Sequence, residues 1–505
     1  MSENIDPSLV PLSPTSEEAP SDRIPIPQKV AFGLGSFIDM WGQWLYNTFA
    51  FQVFNIFLQM NPGLVSTVLM INRLWDAVTD PVCGWLSDNT RTRFGRRRPF
   101  ILVAGVLAGA CMPLLYAVGR DWSEHQYFMY MILSSAVYIC ITSAFMMPYT
   151  SLGMEMTPSY NERTLLMGVR NAVQKMPELA MFFAAQFTTL AIWDGANMEN
   201  LSDRLYQLVT TKEAWAPGKS ENILLGAQVY CTILGIIMVV CAIVMFFVLR
   251  ERYYKKVISS HQQKVKVVET IYQALSCKPF RILLFLVLAY AIGTSMVGAL
   301  GYYNTIYYVC QGDPGLGAVW NFRMGVAGMV FGFAGIPFYT LISKWFGKRH
   351  AMATVLVMAM LAFIGDWFFY NPNHPWMQLL ACGCVAFTGA GFWTIFGSML
   401  PDVIDYDELE SGKRREGAFS ACQSWIMKVG LALGAGASGW ILASTGFNAA
   451  LKVQPPEAIF WIRFLLSTIP VIFLVGALFA LYRFPLTREK MATLREELEA
   501  MRGKV

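Results

Sequence analysis

The sequence predicts an all-α membrane protein of twelve transmembrane helices in two six-helix halves. Of its 505 residues, 55% are hydrophobic and only 14% are charged, whereas a water-soluble domain carries roughly 25% charged residues. Apolar blocks long enough for the roughly 20 residues that a bilayer span needs alternate with short charged loops. Motifs of the first half also recur in the second half at a constant offset.

Residues 1–28 are rich in Ser, Pro and acidic residues and hold few apolar positions, which predicts a disordered tail. This tail lacks the basic start and apolar run of a cleaved signal peptide, so we expect the first span to remain in the protein. The predicted spans are 29–58, 63–87, 98–119, 126–150, 165–192, 224–250, 279–310, 316–343, 351–371, 377–400, 417–447 and 458–484.

The positions of Lys and Arg predict the orientation. Basic residues cluster in the loops that follow the second, sixth, eighth and tenth predicted spans. The alternate short loops near residues 59–63, 311–315 and 372–376 contain no Lys or Arg. Because positively charged loops remain on the cytoplasmic side, both termini are predicted to be cytoplasmic. The expected location is the cytoplasmic (inner) membrane of a bacterium.

An internal repeat divides the chain. Phe94–Arg98 follows the second span and Phe346–His350 follows the eighth, so that Phe94 and Phe346 are 252 residues apart. Two six-span halves in parallel repeat are a known transporter architecture, with the solute site between the halves near the membrane midplane. The pattern is typical of the major facilitator fold. It predicts halves at 29–250 and 279–484, a cytoplasmic linker at 251–278 and a cytoplasmic tail at 485–505.

The second span contains three charged residues on one helix face: Arg73, Asp76 and Asp80. A charge within a span costs roughly 3 kcal/mol on insertion scales and usually faces a cavity or a partner. Two carboxylates one turn apart repel each other unless positive charge lies between them. A Na⁺ ion or a shared proton meets that need, and Thr79 adds an oxygen ligand. In the alternative interpretation, Arg73 neutralises one Asp and braces the helix.

Lys428 lies in the eleventh span with no acidic neighbour within one helical turn. It therefore needs a partner on another helix, and Asp76 or Asp80 is the candidate. Its ammonium group would either compete with a coupling ion or form a static ion pair between helices.

Further intramembrane residues are candidates for solute binding. In the fifth span, Lys175 and Glu178 are spaced to satisfy each other, which leaves Arg170 to bind solute oxygens or to form an ion pair near the cytoplasmic end. Asp39 in the first span binds either solute or cation, or else a packing partner. Trp393 in the tenth span is a candidate ring for sugar stacking.

Three motifs resemble the glycoside–pentoside–hexuronide:cation symporters, the family of the bacterial melibiose permease, and the resemblance extends over about residues 30–485. The motifs are Trp75–Pro81 with Thr90–Arg96, then Asn161–Thr164 with Arg170, and Asp402–Glu408 with Arg414 and Glu416.

The resemblance implies roles for individual residues. Asp76 and Asp80 match the cation-site carboxylates. The sugar site would include Arg170, Trp393, Gln423, Ser424 and Lys428. A cytoplasmic gate would comprise Asp402, Asp405, Glu408 and Arg414, with Arg163 and Glu416 in the same motifs. Two acidic sugar-binding positions of the family fall on Met40 and Met146, and a family Asn between the paired carboxylates falls on Thr79. Na⁺ and H⁺ both remain open as the coupling ion.

These features together predict a secondary active transporter that couples a sugar, glycoside or uronide to a cation. We expect no cofactor, no nucleic-acid partner and no enzymatic activity, and we expect a monomer surrounded by membrane lipid. The alternatives are a carrier for a lipid-like solute, which the apolar Met40 and Met146 suggest, an uncoupled uniporter, an intramembrane enzyme and a solute sensor.

Overall fold

A computed structural model describes residues 23–90, 92–156, 160–197, 199–251, 275–411 and 416–491, together with Thr493, Leu494 and Glu497. Within these residues the protein is all-α. Residues 1–22 of the predicted disordered tail, most of the predicted linker and the end of the predicted C-terminal tail lie outside the described part. The predicted tail boundary at residue 28 is wrong, because the first helix already begins at Ile26, after Pro25.

The first half of the described chain contains six long helices. Helix α1 consists of four consecutive segments, Ile26–Met40, Trp41–Leu45, Tyr46–Ala50 and Phe51–Phe57, and the second and fourth of these are π-helical. The others are α2 (Pro62–Asn89), α3 (Arg98–Cys111), α4 (Glu124–Glu155), α5 (Tyr160–Thr188) and α6 (Ile223–Val248). The loop between α5 and α6 carries one short helix, Leu201–Thr210.

The second half, as far as it is described, also contains six long helices. Helix α7 (Lys278–Tyr303) continues into a π-helical segment, Asn304–Val309. The others are α8 (Pro314–Phe346), α9 (Lys348–Phe369), α10 (Gln378–Ser411), α11 (Glu416–Ser444) and α12 (Pro456–Tyr482).

The connection from α1 to α2 matches the connection from α7 to α8. In both, a π-helical turn ends at a Gln with positive φ, which is 59° at Gln59 and 53° at Gln311. Asn61 then accepts a hydrogen bond from the Gly63 N–H, and Asp313 accepts one from the Leu316 N–H, so each helix begins with a side-chain cap followed by Pro. Gln59 and Gln311 are 252 residues apart, so the internal repeat is a structural repeat.

Nine helices of the described chain are long and apolar enough to cross a membrane: α3, α4 and α6 to α12. The other three long helices are α1, which contains two π-helical segments, and α2 and α5, which hold several charged residues each. Nine of the twelve predicted spans thus correspond to helices that could cross a membrane, and crossing by α1, α2 and α5 remains a prediction.

The two halves pack against each other mainly through α2 and α11, and through α5 and α8. At the end of the bundle where α2 begins, the Trp440 indole donates a hydrogen bond to the Thr67 hydroxyl at 3.0 Å. At the same end, Tyr303 of α7 donates to the Asn55 side chain of α1. The halves are thus joined at the end that carries the short loops without Lys or Arg.

Candidate functional site

The Lys428 side chain of α11 lies between the two carboxylates of α2. Its Nζ is 2.9 Å from Asp76 Oδ2 and is also ion-paired with Asp80 Oδ2. Asp76 is buried, and the side chains of Asp80 and Lys428 are only 13% and 20% exposed. The predicted partner of Lys428 is confirmed, and it is both carboxylates rather than one. The ammonium occupies the position where the sequence analysis expected a cation.

Hydroxyl groups of α2 and α4 border this pair of carboxylates. The Ser143 hydroxyl donates to Asp76 Oδ1 at 3.4 Å and lies 3.0 Å from the Thr79 hydroxyl. The Thr79 hydroxyl also lies 3.3 Å from the backbone carbonyl oxygen of Asp76. Thr79 therefore contacts the Asp76 carboxylate only indirectly, through the Ser143 hydroxyl. Sequence analysis missed Ser143, because a single hydroxyl is not distinctive in an apolar span. We call Asp76, Thr79, Asp80, Ser143 and Lys428 the carboxylate site.

The carboxylate site has unused capacity to accept a hydrogen bond or a cation. Asp80 Oδ1 is buried, and among the described residues it has no hydrogen-bond partner. A buried carboxylate oxygen without a partner is unfavourable. Hard cations such as Na⁺ take oxygen ligands, and carboxylate and hydroxyl oxygens are the groups present. Within the described chain, no three His, Cys, Asp or Glu residues cluster to hold a metal ion.

A small cavity of about 30 Å³ adjoins Asp76 inside the first half. Its lining includes Asn72, Tyr46 and Tyr138, whose Nδ2 and two hydroxyl groups have no hydrogen-bond partner in the described chain. A polar cavity of this size has room for a water molecule or an ion. The space next to Asp76 therefore has room for a bridging water molecule, and Arg73 lines it as well.

Arg73 is one turn from Asp76 on α2 but does not pair with it. Its guanidinium carbon lies 4.5 Å from the centre of the Trp44 ring of α1. In the described part of the chain it forms no ion pair, and the Asp76 and Asp80 carboxylates are bound by Lys428 instead. The alternative in which Arg73 neutralises one Asp is therefore not what the structure shows.

A cavity of about 530 Å³ lies between the halves, enclosed by α1, α2, α5, α7, α8 and α11. Its polar lining consists of Asn47, Thr48, Arg73, Thr294, Ser295, Asn321 and Ser438. Its aromatic lining consists of Trp44, Phe51, Phe182 and Tyr302. Sequence analysis missed all of these except Arg73, because uncharged polar residues and aromatic residues are common in spans.

Asp39 and Arg170 form a buried ion pair of their own. Arg170 Nη2 is 2.6 Å from Asp39 Oδ2, and Arg170 Nε donates to the Tyr149 hydroxyl at 3.2 Å. This network joins α1, α4 and α5 within the first half. The predicted pair of Lys175 and Glu178 is also present, at 2.7 Å. The solute-binding role of Asp39 and Arg170 remains a prediction.

Replacing Arg170 with Gln should destabilise the protein by roughly 3–5 kcal/mol, because it leaves the Asp39 carboxylate buried without its cation. The double variant Asp39→Asn/Arg170→Gln should recover most of that loss. Thermal unfolding of both variants in detergent measures the difference. Equal midpoints for the single and double variants would contradict a stabilising ion pair.

The remaining predicted sugar-site residues lie apart from the 530 Å³ cavity. Trp393 is 39% exposed and meets the rings of Tyr290 and Phe396 nearly edge-on, both at 6.1 Å, and it does not line the cavity. Gln423 is partly buried and Ser424 is exposed, both about one turn before Lys428 on α11. Their contact with a sugar remains a prediction.

The predicted cytoplasmic gate is described only in part. Asp402 is paired with Lys348 at 2.6 Å, and both residues belong to the second half. Glu408 is buried and Asp405 is partly buried. Arg414 lies outside the described residues, as do the side chains of Arg163 and Glu416. The gate across the two halves therefore remains a prediction.

Comparisons with known proteins identify the family of this chain. Residues 32–488 match the family described as MFS/sugar transport protein. The putative glycoside/cation symporter YagG of Escherichia coli is 26% identical, over 93% of this chain and 94% of its own length. The sodium-dependent lysophosphatidylcholine symporter 1-A of Danio rerio is 25% identical, over 88% and 82%.

The fold also matches solved transporter structures. A bacterial homologue of the human lysosomal transporter Spinster superposes with a TM-score of 0.63 at 14% sequence identity, covering 93% of this chain and 97% of its own. At that identity the likeness concerns the fold alone. The family match extends over most of the chain and defines a multi-pass membrane protein that is a transporter rather than an enzyme. The chain therefore belongs to the MFS/sugar transport protein family, the melibiose permease-like symporters of the major facilitator superfamily.

Proposed function

We propose that this symporter moves a sugar-like solute together with a cation, Na⁺ or H⁺, which binds at Asp76 and Asp80. One observation carries the proposal: two carboxylates of the first half share one ammonium from the second half. The site is one helical turn from Arg73 and Leu431, which line the cavity between the halves. The printed name of the relative YagG, a putative glycoside/cation symporter, supports the same solute and coupling.

The mechanism follows from competition for the carboxylates. An entering cation takes the oxygens of Asp76 and Asp80 and weakens their attraction to Lys428. Because Lys428 lies on α11, that change alters how the two halves hold together. Solute that bridges the halves in the cavity favours the same rearrangement, so cation and solute each raise the other's affinity. The halves then rock about the site to expose it to one side and then the other.

The proposed mechanism requires that twelve helices span the membrane. Helices α1, α2 and α5 cross the bilayer with the nine apolar helices, and their charges face partners or cavities rather than lipid. The basic loops then place both termini in the cytoplasm of a bacterial inner membrane. In this topology the end joined by the α1–α7 and α2–α11 hydrogen bonds faces outward, which supports a state closed to the outside. We propose that the working unit is the monomer.

A second candidate solute is a lipid-like amphiphile. The cavity lining combines Trp44, Phe51, Phe182 and Tyr302 with the apolar side chains of Leu69, Met181 and Leu431. An acyl chain packs against such a surface, whereas its headgroup needs the polar residues. One relative is named a sodium-dependent lysophosphatidylcholine symporter. Uptake of labelled lysolipid and of labelled glycosides into proteoliposomes separates the two solutes.

The cation site is tested by thermal unfolding of the purified protein over a range of Na⁺ concentrations and pH values. A cation that binds only the folded protein stabilises it by about 2.7 kcal/mol at 100 times its dissociation constant. We expect Asp76→Asn and Asp80→Asn each to lose this stabilisation while remaining folded, because Lys428 keeps one carboxylate partner.

Asp366→Asn serves as the matched control. Asp366 is also a buried intramembrane aspartate, but it lies on α9 and lines neither the 530 Å³ cavity nor the 30 Å³ cavity. This variant should respond to cation as the wild-type protein does. If Asp76→Asn and Asp80→Asn both retain the wild-type response, the coupling site is elsewhere. A wild-type protein that transports solute without any cation dependence would be a uniporter.

A further inference from the structure

Arg73 is the only charged residue among the described residues that line the 530 Å³ cavity. The charged side chains around it are paired: Asp39 with Arg170, and Asp76 and Asp80 with Lys428. The described chain offers Arg73 no ion pair and no hydrogen bond; its contact is the face of Trp44. An unpaired charge at membrane depth is unfavourable, so the Arg73 guanidinium has the capacity to bind an anionic group in this cavity directly.

The stacking on Trp44 leaves the guanidinium available. A guanidinium that lies over an aromatic ring is held by cation–π attraction. Its N–H groups point outward in its own plane, where they can bind a carboxylate or phosphate through two parallel hydrogen bonds. Asn47 follows Trp44 on the same helix and lines the same cavity. Its Nδ2 donates one hydrogen bond to the Gln43 carbonyl at 3.2 Å, which leaves its second N–H for an oxyanion held there.

The charge balance of the site also favours an anionic solute. Arg73 and Lys428 carry two positive charges, and Asp76 and Asp80 carry two negative charges, so the four groups are neutral together. A coupling cation adds one positive charge to this poorly solvated cluster, where an uncompensated charge is costly. A solute with one negative charge restores neutrality. Cation and anionic solute would therefore bind cooperatively, and a neutral solute would gain less from the cation.

We infer that Arg73 binds an anionic group of the solute, a carboxylate or a phosphate, and that it makes the transporter prefer anionic solutes over matched neutral ones. The inference rests on the proposed solute cavity and narrows its substrate class. The same chemistry fits a uronide, whose anion is a carboxylate, and an anionic lysolipid, whose anion is a phosphate.

The test uses two pairs of probes that differ mainly in the anion. One pair is methyl glucuronide and methyl glucoside; the other is lysophosphatidic acid and monoacylglycerol. Binding to the protein in nanodiscs is measured with and without Na⁺, at two pH values. In at least one pair, the anionic member should bind wild-type protein at least about tenfold more tightly, since charge-assisted bidentate bonds are stronger than neutral ones. The pair that shows this preference identifies the source of the anion.

Variants of two arginines complete the experiment. Arg73→Gln should abolish the preference for the anionic member, and Arg73→Lys should retain part of it. The control is Arg323→Gln, because Arg323 lies 4.8 Å from the Trp320 ring but does not line the cavity; this variant should keep the full preference.

The inference is overturned if wild-type protein binds the neutral members as tightly, if it binds none of the four probes, or if Arg73→Gln keeps the preference. Failure of the proposed cation coupling would give a different result in the same binding experiment. In that case the anionic probe would still bind through Arg73, but neither Na⁺ nor pH would change its affinity.

Discussion

Lys428→Met should abolish coupled uptake and lower the free energy of unfolding by roughly 3–5 kcal/mol in Na⁺-free buffer, because it leaves the two partly shielded carboxylates without their cation. Asp76 and Asp80 lie one turn apart on α2 and share the Lys428 ammonium in the structure. Without it they repel each other in a medium of low dielectric constant. Thermal unfolding and solute uptake into proteoliposomes measure the two effects.

The same variant should respond more strongly to Na⁺ than the wild-type protein. Once the ammonium is removed, a coupling cation no longer has to displace it, and Na⁺ then supplies the charge that the carboxylates lack. We therefore expect Na⁺ to restore much of the lost stability without restoring uptake, since the link from α2 to α11 is absent. Lys428→Arg keeps the charge and should fold normally.

Lys175→Met is the control for removal of a lysine from an ion pair. Lys175 is also paired with a carboxylate, Glu178, but its side chain is 39% exposed and its partner is on the same helix. Such pairs contribute only about 0.3–0.5 kcal/mol, so this variant should remain close to wild type. A Lys428→Met protein that is as stable as wild type without Na⁺ would show that the carboxylates do not depend on Lys428.

The partner of Lys428 was predictable from sequence because charge compensation alone identifies it, without knowledge of the helix packing. An ammonium within a span requires an anion, and few carboxylates lie at membrane depth. The location of Arg73 was not predictable in this way. Spacing on α2 made Asp76 its natural partner, but Lys428 binds Asp76 from across the interface, and Arg73 turns to Trp44 instead. Competition between helices of different halves decides that outcome.

The internal repeat was predictable from sequence, but its best evidence was missed. Sequence analysis relied on the basic motifs at Phe94–Arg98 and Phe346–His350. The structure shows that the loops entering α2 and α8 have equivalent geometry, with positive φ at Gln59 and Gln311 and a capped proline start after each. Short loops of four residues carry little statistical signal, although their backbone requirements are strict. The cavity lining was missed for a related reason, since hydroxyls, amides and aromatic rings are not distinctive in a span.

Gly439→Ala should block transport, because α2 and α11 are in close contact at the proposed outer end, where α2 begins, and leave no room for a side chain. A Cβ atom at position 439 would lie 2.1 Å from the Pro62 carbonyl oxygen and 2.1 Å from the Ser66 hydroxyl. A backbone oxygen cannot rotate away, so the helices must separate. We expect the equilibrium between the closed and open outer ends to shift by about 1–3 kcal/mol, or about 5- to 150-fold, and Gly439→Val to shift it further.

Hydrogen exchange measures this separation without added labels. In Gly439→Ala, exchange should increase at the start of α2 and the end of α11, where the halves meet, and uptake should fall. The stabilisation by cation should remain, because the carboxylate site lies further along both helices. Gly397→Ala on α10 is the control, since nothing lies within 4 Å of a Cβ atom there. Normal uptake together with unchanged exchange in Gly439→Ala would mean that closure of the outer end does not require α2 and α11 to meet at this glycine.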